Sequence, residues 1–148
     1  MSSNSLVDAL KEVAHSDHAI LTEAIHKSPY ETGARREQGQ ASIVLRPATN
    51  EEMSAMVAIC VQMNVEVVPQ SANTGVVWGS TPDTTGNQVL LSLDRMSKLF
   101  EVDVVNRSVR VGAGVRLSEL NAKLEQHGLF FPIDLGADPM VGGMISTN

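Results

Sequence analysis

The apolar residues of the chain recur with a helical period near the N-terminus and with shorter, strand-like spacing afterwards. Residues 5–27 carry apolar side chains at the spacing of one amphipathic helix or a pair of them. The stretch "KSPYETGARREQGQAS" then combines turn formers and charges without any period, which predicts an exposed linker. We therefore divide the chain into an N-terminal helical segment with its linker, residues 1–40, and a main domain, residues 41–148.

The main domain begins with alternating strand and helix patterns. "SIVLRP" and "VEVVP" are short β-branched runs, and "TNEEMSAMVAICVQMN" between them has helical spacing. Thr49 and Glu52 have the spacing of a capping box, in which each side chain accepts a hydrogen bond from a free backbone N–H at the helix start. The apolar stripe of this helix consists of Met53, Met56, Val57, Cys60 and Val61. A strand–helix–strand unit of this length predicts a parallel crossover.

The second half of the chain adds a hairpin and another helix. "QVLLSL" predicts a strand, and the alternating runs "FEVDV" and "SVRVG" flank a short turn as in an antiparallel hairpin. "RLSELNAKLEQHG" predicts a helix with Gly128 as its C-cap, whereas "LFFPIDLGADPMVGGMISTN" has the character of a loop. One parallel crossover together with one hairpin predicts an α+β domain with a mixed sheet.

Composition excludes several classes of function. A chain of 148 residues, 43% of them apolar, is long enough to bury a core. Its net charge of -6 and its scattered Lys and Arg residues argue against binding to nucleic acid, which requires clustered positive charge. No continuous apolar stretch indicates a signal peptide or a transmembrane segment, so we expect a cytoplasmic protein.

Candidate chemistry is concentrated in the loop "PQSANTGVVWG", between the second and third predicted strands. Gly, Ser, Asn and Thr leave backbone N–H groups accessible, and successive N–H groups in a turn form a concavity that binds anions. The loop matches neither the G-x-G-x-x-G fingerprint nor a P-loop. From the residues alone, both a plain surface loop and a phosphate-binding turn remain open.

The other polar residues indicate no further site. His15 and His18 have a spacing that suits a metal pair, but no third ligand accompanies them, so we expect no metal site. Asp134 and Asp138 flank a glycine, and turn formation explains them better than a catalytic carboxylate pair does.

Four sequence blocks within residues 44–148 occur in the order found in a known family. They are "VLRPATNEEMSAMVAIC", "VEVVPQSANTGVVWGSTPD", "VLLSLDRMSKLFEVDVVNRSVRVGAGVRLSELNAKLEQHGLFFPID" and "GGMISTN". Together they resemble the FAD-binding domain of FAD-linked oxidases of the vanillyl-alcohol oxidase or p-cresol methylhydroxylase (PCMH) type. The similarity is greatest to the D-2-hydroxy-acid dehydrogenase branch, which includes D-lactate dehydrogenases, the FAD subunit of glycolate oxidase and D-2-hydroxyglutarate dehydrogenases.

The resemblance implies that FAD is the cofactor and that two turns wrap its dinucleotide. Backbone N–H groups of the loop after the second strand would bind the pyrophosphate, with Asn73 and Thr74 as polar partners. The segment from Pro132 to Gly136 and "VGGMISTN" would lie on the other side. The implied cofactor-binding residues are Pro69, Gln70, Ser71, Ala72, Asn73, Thr74, Gly75, Gly79, Ser80, Pro132, Asp134, Gly136, Gly142, Gly143, Ser146, Thr147 and Asn148.

Two departures from the family pattern affect this expectation. Ser71 and Ala72 stand where the family usually has two glycines, and Trp78 stands where it has glycine or a small residue. A positive φ at any of these positions would cost roughly 1 kcal/mol. We therefore expect this chain alone to bind FAD weakly or not at all.

The resemblance covers only the N-terminal part of the family's length. In the family, the rest of the flavin domain and a substrate or cap domain follow and supply the catalytic residues, so we assign none here. The complete enzyme would oxidise a D-2-hydroxy acid by hydride transfer to FAD.

The alternative is a non-catalytic scaffold or interaction protein that keeps the fold without flavin. An apolar surface would then dock the missing lobe or self-associate.

Overall fold

The computed structural model describes residues 3–147. Helices and strands are mixed along the chain, and most strands are short. The elements, in chain order, are α1 Ser3–Val13, β1 Ile20–Leu21, α2 Ala24–Glu31, β2 Ile43–Leu45, α3 Asn50–Gln62, β3 Val67–Gln70, β4 Val89–Ser92, β5 Phe100–Asp103, β6 Ser108–Val111, α4 Leu117–Glu125 and α5 Val141–Thr147.

The central sheet has the strand order β1-β2-β4-β3. β2 and β3 both pair with β4 in parallel, and β1 pairs with β2 in antiparallel orientation. α3 connects β2 to β3, so the predicted parallel crossover is confirmed, with β4 inserted between its two strands. The predicted α+β class with a mixed sheet is confirmed as well.

The central sheet is covered on both faces. Successive side chains of a strand point to opposite faces, so the residues of β2 divide between two cores. Ile43 and Leu45 pack with the apolar side chains of α1 and α3. Val44 packs with Leu90 of β4 and with the Tyr30 ring of α2. Burial on both faces explains why β2 and β4 are continuous apolar runs without alternation.

β5 and β6 form a separate two-stranded antiparallel sheet, as the alternating runs predicted. This hairpin packs on α4, whose buried stripe is Leu117, Leu120 and Leu124. α4 ends in the predicted glycine C-cap: Gly128 has a φ of +66°, and the N–H of Leu129 donates to the Leu124 carbonyl. The start of α5 packs on the same core.

The segment predicted to be an exposed linker is packed against the sheet, which corrects the sequence interpretation. α2 continues to Glu31, and Lys27 is only 9% exposed because its ammonium group donates to the Ala41 carbonyl. The Tyr30 hydroxyl donates a 2.8 Å hydrogen bond to Oδ2 of Asp94, just after β4. Polar residues become buried here because they satisfy backbone and carboxylate groups of the sheet, a role that hydropathy does not reveal.

Three further predictions were wrong in detail. Residues 20–21 form the edge strand β1 instead of continuing a helix, because they pair with β2. The tail predicted as loop contains α5, whose first two N–H groups donate to the carbonyls of Val115 and Ala113. Val61 is 71% exposed, so the apolar stripe of α3 ends at Cys60.

The capping box of α3 is half formed. Thr49 Oγ1 accepts the Glu52 N–H at 3.1 Å, as predicted. The Glu52 carboxylate does not return to Thr49; it accepts the Ala48 N–H at 2.7 Å and the His15 N–H at 2.8 Å. Glu52 therefore fastens the segment after α1 to the start of α3.

Candidate functional site

A cavity of about 780 Å³ opens beside the carboxyl ends of the parallel strands β3 and β4. The loop after β3, residues 71–80, forms one wall, and Leu93 follows β4 directly. α5 and the segment that precedes it form the other wall. In open sheets with parallel strands, a crevice at this end of the strands is the usual place for a ligand.

The cavity wall is electrically neutral. Among the described residues that line it there is no Lys, Arg, His, Asp or Glu. Its polar side chains are those of Gln70, Ser71, Asn73, Thr74, Ser80, Ser146 and Thr147. An anion in this cavity would therefore be held by backbone N–H dipoles and neutral polar groups.

The loop after β3 leaves its backbone donors free. Within residues 3–147, no backbone N–H group of residues 71–80 donates a hydrogen bond to another group of the chain. The N–H groups of residues 134–138 and of Gly143 also lack an acceptor in this described part. Free donors gathered around one concavity are the arrangement that binds anions.

The left-handed positions of the loop are Asn73 and Trp78. Asn73 has a φ of +53° and Trp78 a φ of +66°, whereas Ser71 and Ala72 lie outside the left-handed region. Ser71 and Ala72 therefore carry no strain from a left-handed backbone. Asn adopts this conformation readily, but Trp78 pays roughly 1 kcal/mol for it. The Trp78 side chain is 59% exposed and does not line the cavity.

The two glycine-containing turns meet at Ser71 and Gly143. A Cβ atom built on Gly143 would lie 3.1 Å from the Ser71 Cβ and 3.4 Å from its Oγ. Gly142 instead faces the turn before α4, where a Cβ would lie 2.8 Å from the Cβ of Ala113. The Gly142 N–H donates to the Ala113 carbonyl at 2.9 Å. Gly142 thus allows α5 to pack closely on the turn before α4, and Gly143 keeps its N–H free beside the loop.

The segment before α5 is fastened to α4. Asp138 accepts the Ser118 N–H and the Ser118 hydroxyl, both at 2.9 Å. The hydrogen bond from the Ser118 backbone is the main cause that lowers the pKa of Asp138 below its ordinary value. Asn121 Oδ1 accepts the Phe131 N–H at 2.8 Å. These contacts hold the second wall of the cavity against α4.

Most residues predicted to bind the cofactor lie together around the cavity. They are Pro69, Gln70, Ser71, Ala72, Asn73, Thr74, Gly75, Gly79, Ser80, Gly136, Gly142, Gly143, Ser146 and Thr147. Pro132 and Asp134 are exposed and lie outside the lining, and Asn148 lies outside the described residues. Contact of each of these residues with the cofactor stays a prediction.

Sequence reasoning missed the apolar part of the cavity. The additional lining residues are Val77, Leu93, Ile133, Leu135, Ala137, Pro139, Met140 and Met144. The search for free N–H donors favoured glycine and small polar residues and passed over these side chains. Leu93 could have been found, because it follows β4 as Ser71 follows β3, and adjacent parallel strands end at the same edge of a sheet.

Other reactive groups are sparse. Among residues 3–147, no group of three or more His, Cys, Asp or Glu could hold a metal ion. Cys60 is buried, and burial raises the pKa of its thiol, so it packs as a small apolar residue. No helix in the described range is long and apolar enough to cross a membrane.

Sequence comparison identifies relatives of this chain. The profile of the FAD binding domain family matches residues 41–148. Mitochondrial D-2-hydroxyglutarate dehydrogenase of Danio rerio is 36% identical over 113 residues, which are 75% of this chain and 21% of that protein. D-lactate dehydrogenase of Archaeoglobus fulgidus is 38% identical over 107 residues, 72% of this chain and 24% of that protein. The chain thus spans about a fifth to a quarter of the length of these relatives.

Solved structures share the fold. Alkyldihydroxyacetonephosphate synthase matches with a TM-score of 0.87 at 18% identity, covering 99% of this chain and 29% of that one. p-Cresol methylhydroxylase with bound substrate matches with a TM-score of 0.72 at 22% identity, covering 85% of this chain and 25% of that one. The PCMH-type fold is therefore confirmed. The chain belongs to the FAD binding domain family, as the sequence resemblance implied, and FAD is the cofactor of this domain.

Proposed function

We propose that this chain is the FAD-binding portion of a flavin-dependent oxidoreductase whose complete form oxidises a D-2-hydroxy acid. The observation that carries the proposal is the row of backbone N–H groups at residues 71–80 without an acceptor in the described chain. All of these residues except Val76 and Trp78 line a neutral cavity at the carboxyl ends of two parallel strands. The division into residues 1–40 and a flavin domain from residue 41 is part of the same proposal.

The cavity has the chemistry that FAD requires. A diphosphate carries two negative charges, and converging N–H dipoles can hold it without lysine or arginine. Residues 71–80 and Gly143 offer such donors on adjoining walls. Leu93, Met140 and Met144 offer apolar surface of the kind that packs against an aromatic ring system. Bound FAD would supply the hydride acceptor, and the residues of this chain would bind and orient it.

The substrate class is proposed from the relatives. The two similar proteins described above are named for D-2-hydroxyglutarate and D-lactate, which are both D-2-hydroxy acids. Among the described residues, no side chain that lines the cavity is a base or a cation. Groups that deprotonate the substrate hydroxyl and bind its carboxylate would therefore come from outside this lining, and we assign no catalytic residue to the chain.

An exposed apolar rim adjoins the cavity. Val77, Ile133 and Leu135 line the cavity and are exposed, Val77 to 85%; Ile145 of α5, between the lining residues Met144 and Ser146, is 77% exposed. Exposed apolar groups gathered in one region indicate a protein interface. We propose that this rim is the surface to which the rest of an enzyme as long as these relatives would bind. Self-association of the isolated chain would be visible as a dimer by sedimentation.

The compartment of this protein stays a prediction. The sequence pattern led us to expect the cytoplasm, whereas the Danio rerio relative is mitochondrial by name. Fluorescence imaging of the tagged full-length gene product would decide between the two compartments.

Titration of the 148-residue chain with FAD tests the proposal, and the single tryptophan, Trp78, provides the signal. We expect saturable quenching of Trp78 fluorescence with a Kd above the low micromolar range, that is above about 10 µM, which corresponds to a binding free energy weaker than roughly -7 kcal/mol. ADP should compete because it carries the diphosphate, and riboflavin, which lacks it, should bind more weakly. Riboflavin binding as tight as FAD binding would contradict the diphosphate site, and no binding of FAD would favour the scaffold alternative.

A further inference from the structure

Gln70 joins both ends of the cofactor loop to the N-terminal segment. It is the last residue of β3 and is 3% exposed. Its Nε2 donates to the Tyr30 carbonyl at 2.9 Å and to the Ser80 carbonyl at 2.7 Å. One side-chain amide therefore connects the start of the loop, the end of the loop and the C-terminal half of α2.

Asn73, the third residue of the loop, makes a second connection. Its Nδ2 donates to the Thr32 carbonyl at 2.9 Å, and its Oδ1 accepts the Ser80 hydroxyl at 2.8 Å. Both ends of the Asn73 side chain are thus engaged within the protein. This arrangement favours a positioning role for the side chain over the direct contact with pyrophosphate that the resemblance implied.

The N-terminal segment also holds the residues that follow the loop. The Gln40 N–H donates to the Asp83 carbonyl at 2.7 Å. Gly39 lies so close to Pro82 that a Cβ at position 39 would come within 2.0 Å of the Pro82 carbonyl oxygen. Residues 30–40 therefore contact Gln70 just before the loop, Asn73 within it and residues 82 and 83 just beyond its end.

We propose that residues 30–40 are a template that holds residues 71–80 in the conformation that binds FAD, with Gln70 and Asn73 as the positioning residues. The template lies before residue 41, outside the range that the FAD binding domain profile matches. Donors that are already ordered lose little conformational entropy when a ligand binds, so the template raises affinity without touching the ligand. The role in affinity rests on the proposed function, whereas the hold on the loop does not.

Two variants test the template, each with a matched control on α3 or just after it. Gln70→Leu removes both donors of the buried amide, and Gln62→Leu makes the same exchange at an exposed position. Asn73→Gly removes the side-chain contacts but permits the left-handed backbone. Asn64→Gly is its control, because Asn64 also has a φ of +53°, is exposed and lies on the other side of β3 from the loop.

The first measurement is the fluorescence anisotropy of Trp78 in the chain without FAD, which reports motion of the loop on the nanosecond timescale. We expect Gln70→Leu and Asn73→Gly to lower the anisotropy well below the thermal unfolding transition, and the two controls to leave it unchanged. A purely structural role would shift the transition temperature and leave the anisotropy of the folded state unaltered. Unchanged anisotropy in Asn73→Gly would overturn the proposal that residues 30–40 hold the loop in place.

The second measurement is the Kd for FAD of the same four variants. We expect the two loop variants to bind about tenfold more weakly than the wild-type chain, which converts to about 1.4 kcal/mol. Equal affinity of Asn73→Gly and wild type would overturn the claim that the template serves FAD binding. If the wild-type chain does not bind FAD, the proposed function fails, and the anisotropy alone decides whether residues 30–40 hold the loop.

Discussion

Ser71 and Gly143 lie so close together that a methyl group at position 143 would come within 3.1 Å of the Ser71 Cβ. Ser71 directly follows β3, and Gly143 belongs to α5, close to the other end of the domain. Their contact places the loop of residues 71–80 beside the N–H of Gly143. Among the described residues, this is the free backbone donor that α5 contributes to the cavity. The absence of a side chain at position 143 is therefore what allows the two turns to converge.

Gly143→Val should separate the two turns. The added carbons would meet the Ser71 side chain, so the loop or α5 must shift by a few tenths of an ångström or more. We expect FAD affinity to fall about tenfold or more, which corresponds to a loss of about 1.4 kcal/mol or more of binding free energy. Ala58→Val, at an exposed position of α3, is the control for a valine in a helix. Equal loss of affinity in both variants would contradict this explanation.

Salt should not weaken the binding of FAD. Attraction between a diphosphate and Lys or Arg side chains would be screened at high ionic strength, but the cavity lining has no charged side chain among the described residues. The chain carries a net charge of -6, so salt should if anything reduce repulsion of the ligand. We expect Kd to change less than about twofold between about 0.05 and 0.5 M NaCl, a range over which the screening length shortens severalfold. A tenfold loss would reveal a cationic partner.

Glu52→Gln should destabilise the fold. The Glu52 side chain is fully buried, and its two oxygens accept the N–H groups of His15 and Ala48. Glutamine offers one oxygen and would place an NH2 group against one of these donors. Leaving a buried donor unpaired costs about 1–3 kcal/mol, so the urea midpoint should fall. Glu51→Gln, its exposed neighbour in the same helical turn, should change the midpoint little; equal shifts would show that only the helix dipole matters.

Tyr30 should titrate late and make the fold sensitive to alkali. Burial, followed by the hydrogen bond to Asp94 and the charge of Asp94, raises the pKa of Tyr30 from 10.0 to about 12. Below pH 10 the hydroxyl is protonated in both states, so its stabilising contribution is complete. Between pH 10 and about 12 the unfolded state loses the proton first, and stability falls.

The titration of Tyr30 can be read directly, because it is the only tyrosine in the chain. Absorbance at the phenolate band should rise with a midpoint near pH 12. Tyr30→Phe should lose less stability between pH 10 and 12 than the wild-type chain. A wild-type midpoint near the ordinary value of 10.0 would show that the hydroxyl is not buried against Asp94.

The sequence predicts the elements whose side chains follow a regular period. Leu117, Leu120 and Leu124 recur at helical spacing and form the buried stripe of α4. The continuous apolar runs of β2 and β4 likewise identify strands buried on both faces. In these elements the burial that stabilises the fold is the same property that the pattern records.

The N-terminal segment and α5 could not be predicted in the same way. Lys27 and Glu37 are buried although both are charged; the ammonium group of Lys27 donates to backbone carbonyls and a Glu37 oxygen accepts the Arg35 N–H. Gly142 and Gly143 disfavour a helix by roughly 1 kcal/mol each, yet α5 forms because it docks on the turn before α4. Both cases depend on tertiary contacts between residues far apart in the chain.

The cavity was predictable only in part, for the same physical reason. Free N–H donors follow from a stretch rich in Gly, Ser, Asn and Thr, which the sequence displays. The engagement of Asn73 with Thr32 and Ser80 depends on how α2 lies against the loop, and no local pattern records it. The sequence therefore indicates which backbone could bind FAD, and the structure indicates what holds that backbone in place.

Amide hydrogen–deuterium exchange of the 148-residue chain with and without saturating FAD tests the central claim most directly. Amides without an acceptor exchange freely, so residues 71–80 and Gly143 should be unprotected alone and become protected when the diphosphate accepts their N–H groups. The β5–β6 hairpin serves as an internal reference and should not change. Unaltered exchange at residues 71–80 in a chain that has bound FAD would contradict this account.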